Sequence, residues 1–195
     1  MTILACNRVD RNAQDNGGRT PLVWAVDGGL LQEVQPLLET PDIDLKPDNY
    51  GNTIFHIAAQ NGHLEILNMI AHQTDLNSNS KNSRGQTPIW LNAANDQESV
   101  VTCLVDKAGV DSDCRSNSGL SPLMLAVQKG HTRTVRALVL DPLYDHRVDS
   151  EGNSALSLAS SDGDLQVVKF IVSHRPMILD SKNMRGELHP HFAFS

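Results

Sequence analysis

The residues of this 195-residue chain that could do chemistry are scattered, and no set of them has the spacing of a reaction centre. The nearest approach to a metal site is His189-Pro190-His191 with His174 upstream. That spacing matches no standard ligand set, and the run reads as a solvated tail. There is no Gly-rich phosphate loop, no HExxH helix and no Cys-x-x-Cys pair. A Gly-x-Ser-x-Gly nucleophile turn is also missing. The sequence therefore implies no metal, no cofactor and no enzymatic function. What it does offer is the chemistry of recognition. Amides and hydroxyls recur at turn positions, where they hydrogen-bond without demanding a charge. Tyr50 and Arg84 stand out among them, because Tyr and Arg are over-represented in binding hot spots. The plainer alternative is that both are ordinary exposed turn residues.

The elements that must position these side chains are announced by glycine. Gly18, Gly51, Gly85, Gly119, Gly152 and Gly186 follow one another at intervals of 33 or 34 residues. Behind the first five stand Arg19-Thr20-Pro21-Leu22, Asn52-Thr53-Ile54-Phe55, Gln86-Thr87-Pro88-Ile89, Leu120-Ser121-Pro122-Leu123 and Asn153-Ser154-Ala155-Leu156. A fixed period of this size means a stack of one small unit, each touching only its neighbours.

The second unit shows the template most plainly. Asp48-Asn49-Tyr50-Gly51 is a turn signal, since Asn tolerates left-handed backbone and Gly adopts it freely. Thr53 can cap a helix that starts there. Pro21, Pro88 and Pro122 fall at the first helical position of sister units, where a missing N–H does no harm. Phe55–Gln60 then reads as a short helix with small Ala58 and Ala59 for close approach of a neighbour. Asn61-Gly62-His63 reverses the chain, and Leu64–Ala71 forms a second helix with a wide apolar stripe. Ala25, Ala126 and Ala159 repeat Ala58, while Gly29, Gly130 and Gly163 repeat Gly62. Second helices are expected at Leu30–Leu38, Val100–Val105, Thr132–Val139 and Leu165–Val172. Helices of about eight residues are marginal alone and need one another's cover.

Thr-Pro-Leu, an Ala-bearing helix, Gly-His and an aliphatic second helix together resemble the ankyrin repeat over residues 15 to 182. The resemblance implies an all-α fold, an ankyrin-repeat solenoid of stacked helix-turn-helix units with β-turn fingers, about five units plus partial ends. On this template, residues 1–14 are the tail of a degenerate N-terminal repeat. Repeats follow at 15–47, 48–81, 82–115, 116–148 and 149–182, and 183–195 is a truncated repeat or tail. In its valine-aspartate phrases and in Asp15-Asn16-Gly17-Gly18-Arg19-Thr20, the chain is similar in style to fungal ankyrin arrays. The resemblance also implies protein binding through the turn tips and the inner helix face. Mapped onto this sequence, the groove and finger candidates are Tyr50, Arg84, Asn52, Gln60, Gln86, Trp90, Asn117 and Lys129. His56, His63 and His131 match the family's structural histidines.

Several residues depart from the template. Pro36 lies inside the second helix of unit one, where it should kink or shorten that helix. Unit three has Asp96 in place of the inter-helix glycine, with Trp90 and Asn92 where His and Ala are usual. Trp90 has two readings, core packing or ligand contact. Asn92 has two as well, a structural hydrogen bond or a ligand pocket. Trp24, one template position further along its helix, is expected to be buried against unit two.

Composition narrows the function. The formal charge of −7 argues against a nucleic-acid binder, which needs a basic stripe, and favours basic partners. Aromatic content of 4 % suits a core of small and aliphatic side chains. No stretch is apolar enough for a membrane span. The three cysteines, Cys6, Cys103 and Cys114, lack framework spacing and read as reduced thiols in an intracellular protein, cytoplasmic or nuclear, with Cys103 in the core. The leading expectation is a protein-interaction module, a monomer or a weak end-to-end oligomer. The alternatives are a small-molecule binder or atypical enzyme that uses the groove, and a structural segment of a larger multidomain protein.

Overall fold

The turn glycines and the residues behind them build one hairpin five times. The computed structural model describes residues 10–106, 109–141 and 147–174. Among these residues there are ten helices and no strand. They pair as α1 (Pro21–Asp27) with α2 (Leu31–Leu38), α3 (Ile54–Asn61) with α4 (Leu64–Gln73), α5 (Pro88–Ala94) with α6 (Glu98–Val105), α7 (Pro122–Gln128) with α8 (Thr132–Leu140), and α9 (Ala155–Ser161) with α10 (Leu165–His174). The odd-numbered helices stack in chain order as an inner layer and the even-numbered ones as an outer layer. This is an all-α ankyrin-type solenoid.

Each inner helix begins where a hydroxyl can catch an orphan N–H. Thr20, Thr87, Ser121 and Ser154 accept from Val23, Trp90, Met124 and Ser157 at 3.4, 3.4, 3.2 and 3.1 Å. Five residues after each cap comes the point of closest approach. Ala58, Ala126 and Ala159 have no exposed surface there. Asn92 occupies the same register, fully buried, and donates its amide to the Ala59 carbonyl at 2.9 Å. It is thus a cross-link between α5 and α3, while its side-chain oxygen has no hydrogen-bond partner among the described residues. Phe55, Leu67, Ile70, Ile89, Leu104, Leu123 and Ile171 fill the space between the layers as one continuous core.

The chain reverses between helices through left-handed residues. Gly29, Gly62, Gly130 and Gly163 have φ of 68, 75, 70 and 75°. Asp96 takes the same place in unit three at φ 55°, a conformation that Asp and Asn tolerate better than other non-glycine residues.

Pro36 lies inside an α2 of eight residues, as long as α6 and shorter than α4, α8 and α10. It removes one ladder bond, the one to the Gln32 carbonyl, and Gln32 is exposed to water. Two expectations are corrected. Cys103 is only partly buried, with its thiol directed to Asn68 at 3.3 Å. The core thiol is Cys114, bonded to the Thr87 hydroxyl at 2.8 Å and pushed up to about 12 by burial. Trp24 is 51 % exposed rather than buried. Cys6, His189, His191 and the 183–195 tail lie outside the described residues.

Neighbouring units are tied by polar links as well as by packing. Asn12 clamps the next unit by donating to the Asp42 carbonyl and accepting from the Asp44 N–H, both at 2.9 Å. Asn79 repeats the device on Gly109 and Asp111. Between units three and four the buried Asp113 carboxylate holds Arg115 at 3.4 Å and Arg147 at 3.0 Å.

Gly119 should be far less replaceable than Gly130. Both have positive φ, but a Cβ at Gly119 would stand 2.8 Å from the backbone nitrogen of Ser150, while one at Gly130 would meet nothing within 4 Å. Gly130→Ala should cost about 1 kcal/mol, the left-handed strain alone. Gly119→Ala should cost about 2 kcal/mol or more, because backbone must shift. Urea unfolding midpoints of the two variants check the order.

Candidate functional site

The fingers are built by side chains that fold the turn onto itself. Asp15, Asp48, Asn82 and Asp149 stand at one turn position, and each lets a side-chain oxygen accept the N–H groups two and four residues on, at 2.8 to 3.0 Å. This local bonding is what Asp and Asn do best in turns. At Asp15 those bonds, led by the one from Arg19, hold the carboxyl below its usual range.

The fingers are then sewn to each other through the backbone. Asn49 donates to the Gly17 carbonyl at 2.9 Å, Ser83 to Tyr50 at 2.9 Å and Asn117 to Arg84 at 3.0 Å. Between the last two fingers the Ser150 hydroxyl substitutes, reaching the Ser118 carbonyl at 3.0 Å. The residues on successive tips therefore have fixed relative positions.

A second set of ties joins two of the fingers to the inner helix of the preceding unit. His56 is fully buried. Its Nδ1 accepts the Thr53 N–H at 3.1 Å, which leaves Nε2–H to donate to the Gln86 carbonyl of the next finger at 3.0 Å. Burial pushes the imidazole below its usual range, against the Gln86 bond and the Asp48 charge, which pull upward. Trp90 does the same work one unit later. It is 9 % exposed, and its indole N–H donates to the Leu120 carbonyl at 3.0 Å. Of its two readings, core packing is the one its position fits. His63 and His131 reach back to the carbonyls of Asp27 and Ala94 at 3.2 and 3.3 Å.

Tyr50, Arg84, Asn52, Gln60 and Gln86 come together around one open depression of about 350 Å³, with Arg19, Asn82, Ser83 and Leu91 completing its lining. Asn82 ties two of these amides, donating to Asn52 Oδ1 at 2.9 Å and to Gln86 Oε1 at 3.0 Å. Asn117 and Lys129 are exposed one unit further along and do not line it. Tyr50 is 61 % exposed. Trp24 borders the same face beside Arg19, whose guanidinium lies 5.1 Å from its ring centroid. Its indole N–H reaches Asp15 at 3.2 Å. Template register placed Trp24 with the buried Ile57 and Leu91. An indole carries a donor those residues lack, and its partner stands in the finger. The Trp24–Asp15 spacing of nine residues, an aromatic donor with a turn carboxylate, was the available signal.

No group of three or more metal-ligating side chains occurs among the described residues. No described helix is long and apolar enough to cross a membrane.

Comparison with known proteins agrees with this architecture. Residues 1–80 and 72–145 match the family model described as ankyrin repeats in three copies. The neurogenic locus notch homolog protein 1 of Danio rerio is 27 % identical over 181 residues, 85 % of this chain and 7 % of that protein. An ankyrin repeat and KH domain-containing protein of Caenorhabditis briggsae is 31 % identical over 141 residues, 71 % of this chain and 5 % of its own length. An ankyrin repeat protein of Rickettsia felis is 26 % identical over 170 residues, 87 % of this chain and 42 % of its own length. The chain thus spans less than half of each of these relatives.

His56 should make stability depend on pH. Its folded pKa lies below the model-peptide value of 6.5. The folded protein therefore stays neutral there while the unfolded chain takes up a proton. Its contribution is whole above about pH 6.5 and is lost as pH falls toward the folded pKa. The slope reaches about 1.4 kcal/mol per pH unit. Urea unfolding between pH 7.5 and 5.5 should be steeper in pH for the wild type than for His56→Gln, and equal slopes would remove this role.

Proposed function

Because the chain belongs to the ankyrin repeat family, we propose that it is a non-catalytic module that grips a protein partner through the groove between its fingers and inner helices. Ankyrin repeat domains generally mediate protein–protein interaction and are typically non-enzymatic. The finer reading rests on one observation. Five of the side chains singled out by sequence, drawn from two adjacent fingers and the inner helix between them, converge on a single open depression.

The physical case has two parts. The frame is rigid where it needs to be, because each of these fingers is bonded within itself and the first four are joined in series through backbone atoms. A ligand therefore meets preset groups, and little ordering cost remains on this side of the interface. The donors on offer are also unspent. The side chains of Gln60 and Arg84, the amide nitrogen of Gln86 and the Tyr50 hydroxyl have no hydrogen-bond partner among the described residues. Open depressions of this polarity suit a protein strand or loop better than a small substrate, which usually needs a closed and largely apolar pocket. The neighbouring tips, with Asn117 and Lys129, extend the same surface along the stack.

Affinity capture with cross-linking tests the reading. A partner held by the wild type should lose binding by about thirtyfold with Tyr50→Ala, a loss of about 2 kcal/mol typical of a hot-spot aromatic. The same partner should be held unchanged by Arg133→Ala on the outer helix α8. Cross-links confined to the outer helices, with Tyr50→Ala and Gln60→Ala both silent, would be evidence against the groove.

A further inference from the structure

Charge is distributed unevenly over this protein in a way that bears on what the groove accepts. The whole chain carries a formal charge of −7. The nine residues that line the depression include two arginines, Arg19 and Arg84, and no carboxylate. The acids nearest to it are already engaged. Asp48 lies behind the second finger, 5 % exposed, and its oxygens take the N–H groups of Tyr50 and Asn52 and the Asn52 amide. Asp15 is spent on its own turn and on Trp24. Asp27 stands 3.4 Å from Arg19 and accepts the Asn61 amide at 2.8 Å, so it offsets only the first guanidinium. Arg84 has neither ion pair nor side-chain hydrogen bond among the described residues.

The geometry points to an acidic, extended peptide segment of a protein partner as the occupant, with an Asp or Glu side chain paired to Arg84 and a neighbouring residue laid against Tyr50. A guanidinium presents a planar fork of donors that fits a carboxylate in two places at once. The Gln60 amide and the unspent amide nitrogen of Gln86 line the same depression and can bond a peptide main chain, which offers both donors and acceptors. The tyrosine supplies a broad face with little rotamer entropy to lose. Overall charge suggested basic partners, whereas the charge left unpaired in the lining of the groove is the Arg84 guanidinium, and a ligand laid there meets it at contact range. This inference rests on the groove-binding reading above and specifies its ligand.

Selection from a random peptide library on the full chain, followed by titration of the selected peptides, tests it. Selected sequences should share Asp or Glu at one position. Affinity should fall about tenfold with Arg84→Gln and further with Arg84→Glu, as expected when one partner of a charge-assisted pair is removed. Replacing the peptide's Glu by Gln should cost the same and add nothing in the Arg84→Gln background. Rising salt should weaken binding, and Arg133→Gln, which removes an equal charge from the outer face, should change nothing. Peptides that depend on Tyr50 but lack an acidic position and ignore Arg84→Glu would overturn the acidic ligand while leaving the groove in place. A phosphoserine peptide that binds where its glutamate counterpart does not would overturn it in favour of phosphate. A library with no Tyr50-dependent binder would bring down both readings.

Discussion

No helix pair in this protein can hide its own apolar face, and that constraint organises everything else. A hairpin of two helices, seven to ten residues each, leaves its flanks wet unless another hairpin covers them. The solution is repetition at close range. Ala58, Ala126 and Ala159 thin each inner helix at the point of contact, and the aliphatic residues around them interlock across the gap. Every substantial contact joins a helix to its hairpin partner or to its counterpart one unit away. Cooperativity passes along the stack by that route, unit to unit, with no central core to hold the ends.

Polar links serve a different purpose from packing in this design. Packing fixes which units touch, while the hydrogen bonds set how they are phased. Asn92 to Ala59, His56 to Gln86 and Trp90 to Leu120 all cross from one unit to the next through fully or largely buried groups. A buried donor or acceptor that loses its partner is costly, so each link penalises a slipped register more than it rewards the native one. His, Trp and Asn do equivalent work at these joints with different chemistry.

Much of this was legible in the sequence, because a repeat states its template several times. The turn glycines, the capping hydroxyls, the prolines at the first helical position and the helix order could all be read from residue types at a fixed offset. Gln60, Gln86, Asn52, Tyr50 and Arg84 could be placed on one face by the same register. The misreadings came where a single side chain outweighed its position. Trp24 follows its indole N–H to Asp15 and leaves the register that buries Ile57 and Leu91. Cys103 was read as a core residue, yet it is only partly buried and its thiol turns to Asn68. The unpaired guanidinium at the groove was hidden for another reason. It depends on which charged side chains find partners in space, which a sum over the sequence cannot express.

The backbone bonds from Gly17, Tyr50 and Arg84 to the following fingers make the surface a ruler. Packed helices lie about 8–10 Å apart, and an extended chain advances about 3.3 Å per residue. One step along the ruler therefore matches roughly three residues of a guest strand. A guest laid parallel to the stack would meet equivalent fingers at every third position, so that inserting a single residue between two of its anchors would throw the second one out of step.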